Sequence, residues 1–151
     1  MEYEQINSVT SKPDIVLVRA TTSEKATALS ELMRDLAASD IQIFDYHRVA
    51  RDGETTLTFV AEAEDLDRLK QCLSTVSSGG IRTSIQGDIA SVSVVGSGLA
   101  CSAGTLSEVE RVLADADIPV YSVGTSSLSI TCIIPATARK EAIGILHMRF
   151  V

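Results

Sequence analysis

Aromatic residues and positive charges are scarce in this sequence. It contains no Trp, its aromatic content is 4%, and its 13 Lys and Arg against 20 Asp and Glu give a net charge of −7. Proteins that bind nucleic acids tightly neutralise phosphates with clustered Lys and Arg, and many stack bases on aromatic rings. The composition therefore argues against a nucleic-acid partner.

Potential metal ligands are also few. The three cysteines and two histidines lie far apart, and no CxxC or HxxxH spacing occurs among Cys72, Cys101, Cys132, His47 and His147. Because zinc sites are marked by closely spaced ligand pairs, we expect no metal site. We also expect no cofactor and no catalytic residue. A reactive thiol at Cys101, in a loop before a predicted helix, is the enzymatic alternative.

Long apolar runs are missing as well. No run approaches the length that spans a membrane, and the polar, acidic N-terminus has neither a signal-peptide core nor an Arg-rich transit character. We therefore expect a cytoplasmic protein with no membrane partner. A hydrophobic content of 45% over 151 residues is typical of one globular domain or two small ones.

An internal repeat is what the sequence does contain. Shifted by 77 positions, residues 29–41 (LSELMRDLAASDI) align with residues 106–118 (LSEVERVLADADI), with eight of thirteen positions identical. The same shift places residues 15–18 on residues 92–95. A gap-free match across a strand, a helix and the next strand predicts one supersecondary unit used twice.

Hydrophobic periodicity predicts the same order of elements in both copies. Each reads strand, helix, strand, strand, helix and then a further strand, which predicts an α+β fold of two ferredoxin-like (βαββαβ) domains. Their antiparallel sheets would carry the helices on one face. We place the domains at 1–87, including a leader over 1–13, and at 88–151. They could be interleaved, because residues 6–10 could add an edge strand.

The second copy carries a more specific pattern. It holds VSVVGSG at 92–98, then Gly104, Ile118, Thr125–Ser126, Ile130 and a closing LHMRF at 146–150. These residues resemble the second ACT domain of aspartokinases, and the resemblance extends over almost the whole chain, since that family places two ACT domains in tandem. The first copy shares with this family only the order of its strands and helices.

The resemblance implies a regulatory module without its own catalytic activity, with the aspartate kinase domain upstream or on another chain. It implies an amino acid effector of the threonine or lysine class, feedback control of lysine, threonine and methionine biosynthesis, and a homodimer. Glycines and helix N-termini suit an α-carboxylate. The effector-binding residues carried over by position are Gly98, Leu99, Ser102, Gly104, Thr105, Thr125, Ser126 and Ser127, with Thr22, Ser23, Thr27 and Arg48 from the first copy.

The chain departs from the family at several of these positions. The usual Pro-Gly before the first helix is Ala103-Gly104 in the second copy and Ala26-Thr27 in the first, and Arg48 replaces a common Gln. A cation at Arg48 would repel a lysine effector and tolerate a neutral or acidic one. The alternative is a ligand-free pair of ACT domains that acts as a scaffold for dimerisation or for docking to an enzyme.

Overall fold

The computed structural model describes residues 6–23, 27–77, 80–97 and 103–151. Those ranges form six strands and four α-helices in the order βαββαβαββα. None of these helices has the length and apolar character needed to cross a membrane. The elements are β1 (Ile6–Thr22), α1 (Thr27–Ala38), β2 (Ile43–Arg51), β3 (Glu54–Glu62), α2 (Leu66–Ser77), β4 (Arg82–Gly96), α3 (Ala103–Asp115), β5 (Ser122–Thr125), β6 (Ser129–Pro135) and α4 (Arg139–Phe150).

The chain divides into two compact units. One comprises residues 14–87, and the other comprises residues 88–151 together with residues 1–13. Two long strands, β1 and β4, each contribute one half to each unit. The mixed α/β fold with an antiparallel sheet and helices, which the sequence predicts, is therefore present.

The first unit, residues 14–87, has the strand order β2-β3-β1-β4. Strand β3 pairs antiparallel with both β1 and β2. Alternate residues of β1 and β3 are buried in one cluster with the apolar sides of α1 and α2, so both helices cover the same face of the sheet. That core is formed by Val16, Val18, Ala20, Leu29, Leu32, Leu36, Ile41, Leu57, Phe59, Ala61, Leu69, Cys72, Leu73 and Ile81.

The second unit repeats this layout with the order β1-β4-β6-β5. Strand β6 pairs antiparallel with β4 and β5. Its helices α3 and α4 again cover one face. The core is formed by Val92, Val94, Val109, Leu113, Ile118, Ile130, Cys132, Ile134, Ala142 and Leu146.

The described part of the N-terminal leader does not group as predicted. Residues 6–13 belong to the second unit, whereas the prediction places the leader in the first domain. Ile6 and Val9 pack against the second core, and the Ser11 hydroxyl accepts a 3.3 Å hydrogen bond from Arg139. The leader thus completes the second unit, whereas β4 supplies the last strand of the first.

Both first helices end in the same way. Asp40 and Asp117 have φ values of 55° in each case. The next amide, of Ile41 or Ile118, donates to a carbonyl in the last turn of its helix, Leu36 or Leu113, at 3.1 and 3.0 Å. This is the Schellman arrangement, with Asp where Gly is usual. The Asp-Ile pair that ends the repeated sequence is therefore explained by a shared helix cap.

The gap-free repeat holds for the helices but is wrong for the first strands. Relative to their partners in β3 and β6, Val18 lies opposite Phe59 and Val92 lies opposite Cys132. Equivalent strand residues are thus 74 positions apart, and Asp14 and Asp88, both with positive φ, obey this shift. Because 77 and 74 differ in parity, the original alignment would exchange the two faces of the strand. The second copy instead has three extra residues between β4 and α3.

Strand β5 is shorter than predicted. The apolar run at residues 118–123 predicts a strand that begins at Ile118, but β5 begins only at Ser122. Ile118 already uses its amide in the cap of α3, and Pro119 has no amide hydrogen to donate. The backbone therefore joins the sheet at Tyr121, whose amide donates to Ile133 at 2.8 Å.

Candidate functional site

The predicted effector residues fall on three kinds of element. In the first unit they lie at the end of β1, at the start of α1 and on β2; in the second unit the described ones lie at the start of α3, at the end of β5 and in the turn that follows it. Gly98, Leu99 and Ser102 lie outside the described residues, in the segment between β4 and α3. The remaining nine are placed by the structure.

In the first unit, three of these residues lie where β1 gives way to α1. Thr22 is the last residue of β1 and is 1% exposed. Its hydroxyl donates a 3.4 Å hydrogen bond to the carbonyl of Gly80. Ser23 follows it and is exposed, and Thr27 is the exposed first residue of α1. A threonine hydroxyl that is buried and bonded at the strand end supports the backbone there.

Arg48 lies on the edge strand β2 and is exposed. It is paired with Leu57, which in turn pairs with Ala20. Directly opposed residues share a face of a sheet, and Leu57 and Ala20 belong to the core under the helices. Arg48 is therefore rooted on the helix-covered face. Thr22 is on that face too, since it is two residues beyond Ala20.

In the second unit, Gly104 and Thr105 are the second and third residues of α3. Gly104 is exposed and Thr105 is half-buried. The first four backbone amides of an α-helix have no partner within the helix, and the helix dipole favours negative charge there. The first turn of α3 therefore offers the kind of environment that suits a carboxylate.

Thr125 ends β5 and corresponds to Arg48 in the first copy. It pairs with Ile130, which pairs with Val94, and both partners belong to the second core. Thr125 is thus also on the helix-covered face. It is two strands away from β4, a separation of roughly 10 Å. The structure gives Arg48 and Thr125 the same place in their units, as the 77-residue repeat predicts.

Ser126 has a defined role in the turn between β5 and β6. Its hydroxyl accepts hydrogen bonds from the amides of Leu128 and Ser129, both at 3.2 Å, and lies 3.1 Å from the Ser129 hydroxyl. Ser127, at the tip of this turn, is exposed. The Ser126 side chain therefore stabilises the hairpin, and its acceptor capacity is largely committed.

The two described cysteine thiols, Cys72 and Cys132, do not have the environment of a reactive nucleophile. Cys132 is buried, and burial, followed by the charge of Glu110, raises its pKa to about 12. Cys72 is also buried, 3.4 Å from the Ser39 hydroxyl. Cys101 lies outside the described residues. Within the described ranges no group of three or more His, Cys, Asp and Glu could hold a metal ion.

Gly80 is the residue at this end of the first unit that sequence reasoning missed. The sequence marks it only as part of a chain break. Its contact with Thr22 joins positions 58 residues apart. No local pattern records such a contact, so only the fold could reveal it.

Comparison with known proteins connects this geometry to a family. Residues 92–150 match the ACT domain family. Over 129 residues, 82% of its length, the chain is 30% identical to an aspartokinase from Bacillus sp. (strain MGA3). It spans 31% of that relative, so it corresponds to about a third of the curated proteins that it matches.

Solved structures share the fold over nearly all of the chain. The ligand-free regulatory subunit of aspartate kinase from Thermus thermophilus aligns with a TM-score of 0.85 and 21% identity, covering 97% of this chain and 99% of that one. E. coli aspartokinase III in complex with lysine and aspartate (T-state) aligns with a TM-score of 0.70 and 20% identity, covering 99% of this chain and 34% of that one.

Proposed function

We propose that this chain, which matches the ACT domain family over residues 92–150 and resembles the regulatory region of aspartokinases, binds an amino acid and thereby regulates an aspartate kinase activity. It is a regulatory part and not the catalytic part of such a system, in line with its similarity to the Thermus thermophilus regulatory subunit.

Both units are proposed to be ACT domains, arranged as a tandem pair. Residues 92–150 match the family directly. For the first unit, support comes from the shared strand order, the helices on one face and the Asp-capped ends of α1 and α3. We propose the boundary near residue 87, with the leader completing the second ACT domain.

The effector site is proposed at the end of the sheet where β4 runs into α3. The observation that carries this proposal is the placement of Thr125 on the helix-covered face, two strands from β4, in the unit whose α3 has Gly104 and Thr105 in its first turn. The amides of the first helical turn would bind the α-carboxylate, and hydroxyl and carbonyl oxygens would bind the ammonium. Gly98, Leu99, Ser102 and Ser127 would complete this site.

In the first unit, Arg48 changes the effector that the equivalent site would accept. It places a permanent positive charge where Thr125 stands in the second unit. A lysine side chain near it would be repelled, whereas a neutral or acidic effector would not. Threonine is therefore the first effector to test, with lysine second and with Thr22, Ser23 and Thr27 as the neighbouring polar groups.

The first experiment is thermal unfolding of the chain with each of the twenty amino acids. A ligand that binds only the folded state stabilises it by about 2.7 kcal/mol at a hundredfold excess over its dissociation constant. We expect one or a few aspartate-derived amino acids, threonine foremost, to raise the midpoint. If no amino acid changes the midpoint at millimolar concentration, effector binding by this chain is refuted.

Arg48→Gln sharpens the effector prediction by removing the positive charge from the helix-covered face. We expect this variant to gain lysine binding at least severalfold, measured by calorimetry, while threonine binding changes less. The matched control is Arg51→Gln on the same strand, since Arg51 is 85% exposed and lies on the opposite face of the strand. Equal effects of both variants on lysine binding would contradict a local role for Arg48.

The partners are proposed from the relatives. A chain similar to a regulatory subunit of aspartate kinase would associate with an aspartokinase catalytic domain and exert feedback control on lysine, threonine and methionine biosynthesis. A homodimer and a cytoplasmic location are part of the same proposal. Co-purification of this chain with an aspartokinase catalytic domain, and inhibition of that activity by the effector, would test it.

A ligand-free scaffold is the second candidate function. It is favoured by the two hydroxyls at the predicted sites that are already engaged, Thr22 with Gly80 and Ser126 with its own turn. It is also favoured by the exposed charge of Arg48 in the first copy. The scaffold predicts assembly with an enzyme but no amino acid effect on thermal stability, so the unfolding experiment separates the two candidates.

A further inference from the structure

A groove of about 410 Å³ lies between α3 and α4 of the second unit, and this volume is within the usual range of small-molecule sites. It is lined by Val112, Asp115, Ala116, Ile145, Met148 and Arg149. We call this surface the α3–α4 groove. Its residues belong to the C-terminal halves of the two helices and to the residue just after α3. The groove therefore lies away from the effector site proposed at the first turn of α3.

The two charged residues of the groove are held by a row of ion pairs. Arg111 donates to the carboxylates of Asp115 at 2.7 Å and of Glu108 at 2.6 Å. Glu108 also accepts from Nε of Arg149 at 2.8 Å. Asp115 and Arg149 are thus the two ends of a row of alternating charges, and among the described residues no ion pair joins these ends directly. Because both side chains are already positioned, ordering them around a ligand costs less.

Both ends of the row retain capacity for a ligand. The Asp115 side chain is 66% exposed and accepts from Arg111 through Oδ2. The Arg149 side chain is 53% exposed and donates to Glu108 through Nε, and its guanidinium lies 5.3 Å from the centre of the Phe150 ring. A carboxylate accepts several hydrogen bonds and a guanidinium offers five donors. A molecule that carries both an ammonium and a carboxylate group can therefore bind both ends at once.

The other lining residues give the groove an apolar surface with one projecting side chain. Val112, Ala116 and Ile145 are half-buried, whereas Met148 is 86% exposed. The unbranched thioether chain of methionine has several rotatable bonds and adapts to the shape of what it contacts. An aliphatic group placed in the groove would remove apolar surface of both molecules from water, which is favourable in proportion to the area buried.

The fold does not require this pair of charges. When α1 is aligned with α3 by the 77-residue repeat, Ala38 stands in place of Asp115. When α2 is aligned with α4 at their first residues, Val76 stands in place of Arg149. The first unit thus covers its sheet with the same two helices and has neither charge. Only the second unit combines opposite charges with an apolar groove, which is the combination that a zwitterion with an aliphatic side chain matches.

We propose that the α3–α4 groove is a second amino acid site, selective for a zwitterion with a large aliphatic side chain such as that of leucine. Arg149 binds the α-carboxylate and Asp115 binds the α-ammonium, both through charge-assisted hydrogen bonds. The aliphatic side chain lies along the groove with Met148 against it. Threonine and lysine have polar or charged side chains and match the apolar groove less well. This site does not rest on the effector site at the first turn of α3.

Two-dimensional amide NMR of the chain titrated with leucine tests this site. We expect saturable shifts centred on Val112, Ala116 and Met148, with Gly104 and Thr105 unaffected. Three matched probes each lack one part of leucine: isocaproate lacks the ammonium, isoamylamine lacks the carboxylate and glycine lacks the side chain. Each probe is expected to bind about tenfold more weakly than leucine or worse, because it loses a hydrogen bond between charged groups or the apolar contact.

Neutral variants of the two charged residues separate their roles. Arg149→Gln and Asp115→Asn are each expected to weaken leucine binding about tenfold or more. The matched controls, Lys140→Gln on α4 and Glu110→Gln on α3, neutralise exposed charges outside the groove and are expected to leave leucine binding unchanged. Asp115→Asn is also expected to bind isocaproate at least as well as wild type does, because the carboxylate that repels this anion is gone. A general loss of structure would not give that selective result.

The proposal is overturned if leucine, isoleucine and methionine all leave the groove residues unshifted up to their solubility limits. It is also overturned if leucine shifts only Thr125 and the first turn of α3, if isocaproate and isoamylamine bind as tightly as leucine, or if the controls weaken binding as much as Arg149→Gln does. Saturable leucine shifts in the groove without any response to threonine would support the groove and refute threonine as the effector at α3, so the two proposals fail separately.

Discussion

The two helix pairs show how one layout is secured by different contacts. In the first unit, Arg68 of α2 donates at 2.6 Å to the carbonyl of Ser39, just beyond α1, and also pairs with the buried carboxylate of Asp65. In the second unit, Arg149 of α4 instead contacts Glu108 in the middle of α3. The apolar core positions of the two units correspond, and the polar links between the helices do not.

The comparison shows which features the repeat preserves. Core leucines, helix caps and strand order are shared, because they fix the packing of helices on the sheet. The polar contacts between the helices can differ in position, because different ion pairs or hydrogen bonds can join the same two helices. When α2 and α4 are aligned at their first residues, Arg68 corresponds to Glu141 and Arg149 corresponds to Val76. Neither arginine therefore has an arginine at the equivalent position of the other unit.

The largest expected effect comes from breaking both cores at an equivalent place. Leu36 and Leu113 are 1% and 0% exposed, and each accepts the capping amide that ends its helix. Leu→Ala at either site is expected to lower the free energy of unfolding by about 2–5 kcal/mol, through lost burial and a remaining cavity. Denaturant unfolding measures both. If either variant lost less unfolding free energy than an Ala substitution at an exposed residue, the two leucines would not have equivalent roles in their cores.

Removing the two polar links is expected to have unequal effects. Arg68→Ala leaves the buried Asp65 carboxylate, which is 6% exposed, without its partner, so we expect a loss of about 1–3 kcal/mol. Arg149→Ala removes an exposed pair, for which we expect about 0–1 kcal/mol. Thermal and denaturant unfolding of the two variants gives the comparison. A larger loss for Arg149→Ala would contradict it.

The smallest expected effect is a pH dependence confined to the second unit. Hydrogen bonds from Arg111 and then Arg149 lower the pKa of Glu108 to about 2. A carboxyl whose pKa is lower in the folded state stabilises the protein above its unfolded pKa, and this contribution is lost as the pH falls toward 2. We expect wild type to exceed Glu108→Gln in stability at pH 6, with the difference shrinking below pH 4.5.

The counterpart of Glu108 in α1 provides the control for that experiment. Glu31 is exposed and occupies the same place in the repeat. Glu31→Gln is expected to change stability less at pH 6 than Glu108→Gln does, because Glu31 is exposed. Carboxyl chemical shifts followed by NMR during an acid titration measure the Glu108 pKa directly. A midpoint near the ordinary value for glutamate would refute the role of the two arginines.

Much of the fold could be predicted because the helices and strands follow from the spacing of apolar residues over short stretches of sequence. The helices follow from apolar residues at helical spacing, as with Leu29, Leu32 and Leu36, and the strand order follows from the repeated unit. The leader could not be assigned in this way. Ile6 and Val9 contact a core more than eighty residues away along the chain, and their own sequence does not indicate which core they join.

The site was predictable in its positions more than in its contacts. Arg48 and Thr125 are 77 residues apart and have equivalent register positions on the second strands, opposite Leu57 and Ile130. The 77-residue repeat misplaced the first strands because three residues are inserted before α3, and an ungapped comparison cannot detect an insertion in a loop. The hydrogen bonds of Thr22 and Ser126 depend on backbone geometry at turns, which the side-chain pattern does not record.

Two-dimensional amide NMR of the chain titrated with threonine tests whether an amino acid binds at the first turn of α3. We expect saturable shifts concentrated at Gly104, Thr105 and Thr125, with smaller changes at the equivalent positions Thr27 and Arg48. Saturable shifts confined to other parts of the chain would contradict the proposed site. An unchanged spectrum with threonine, lysine and every other amino acid would contradict the function.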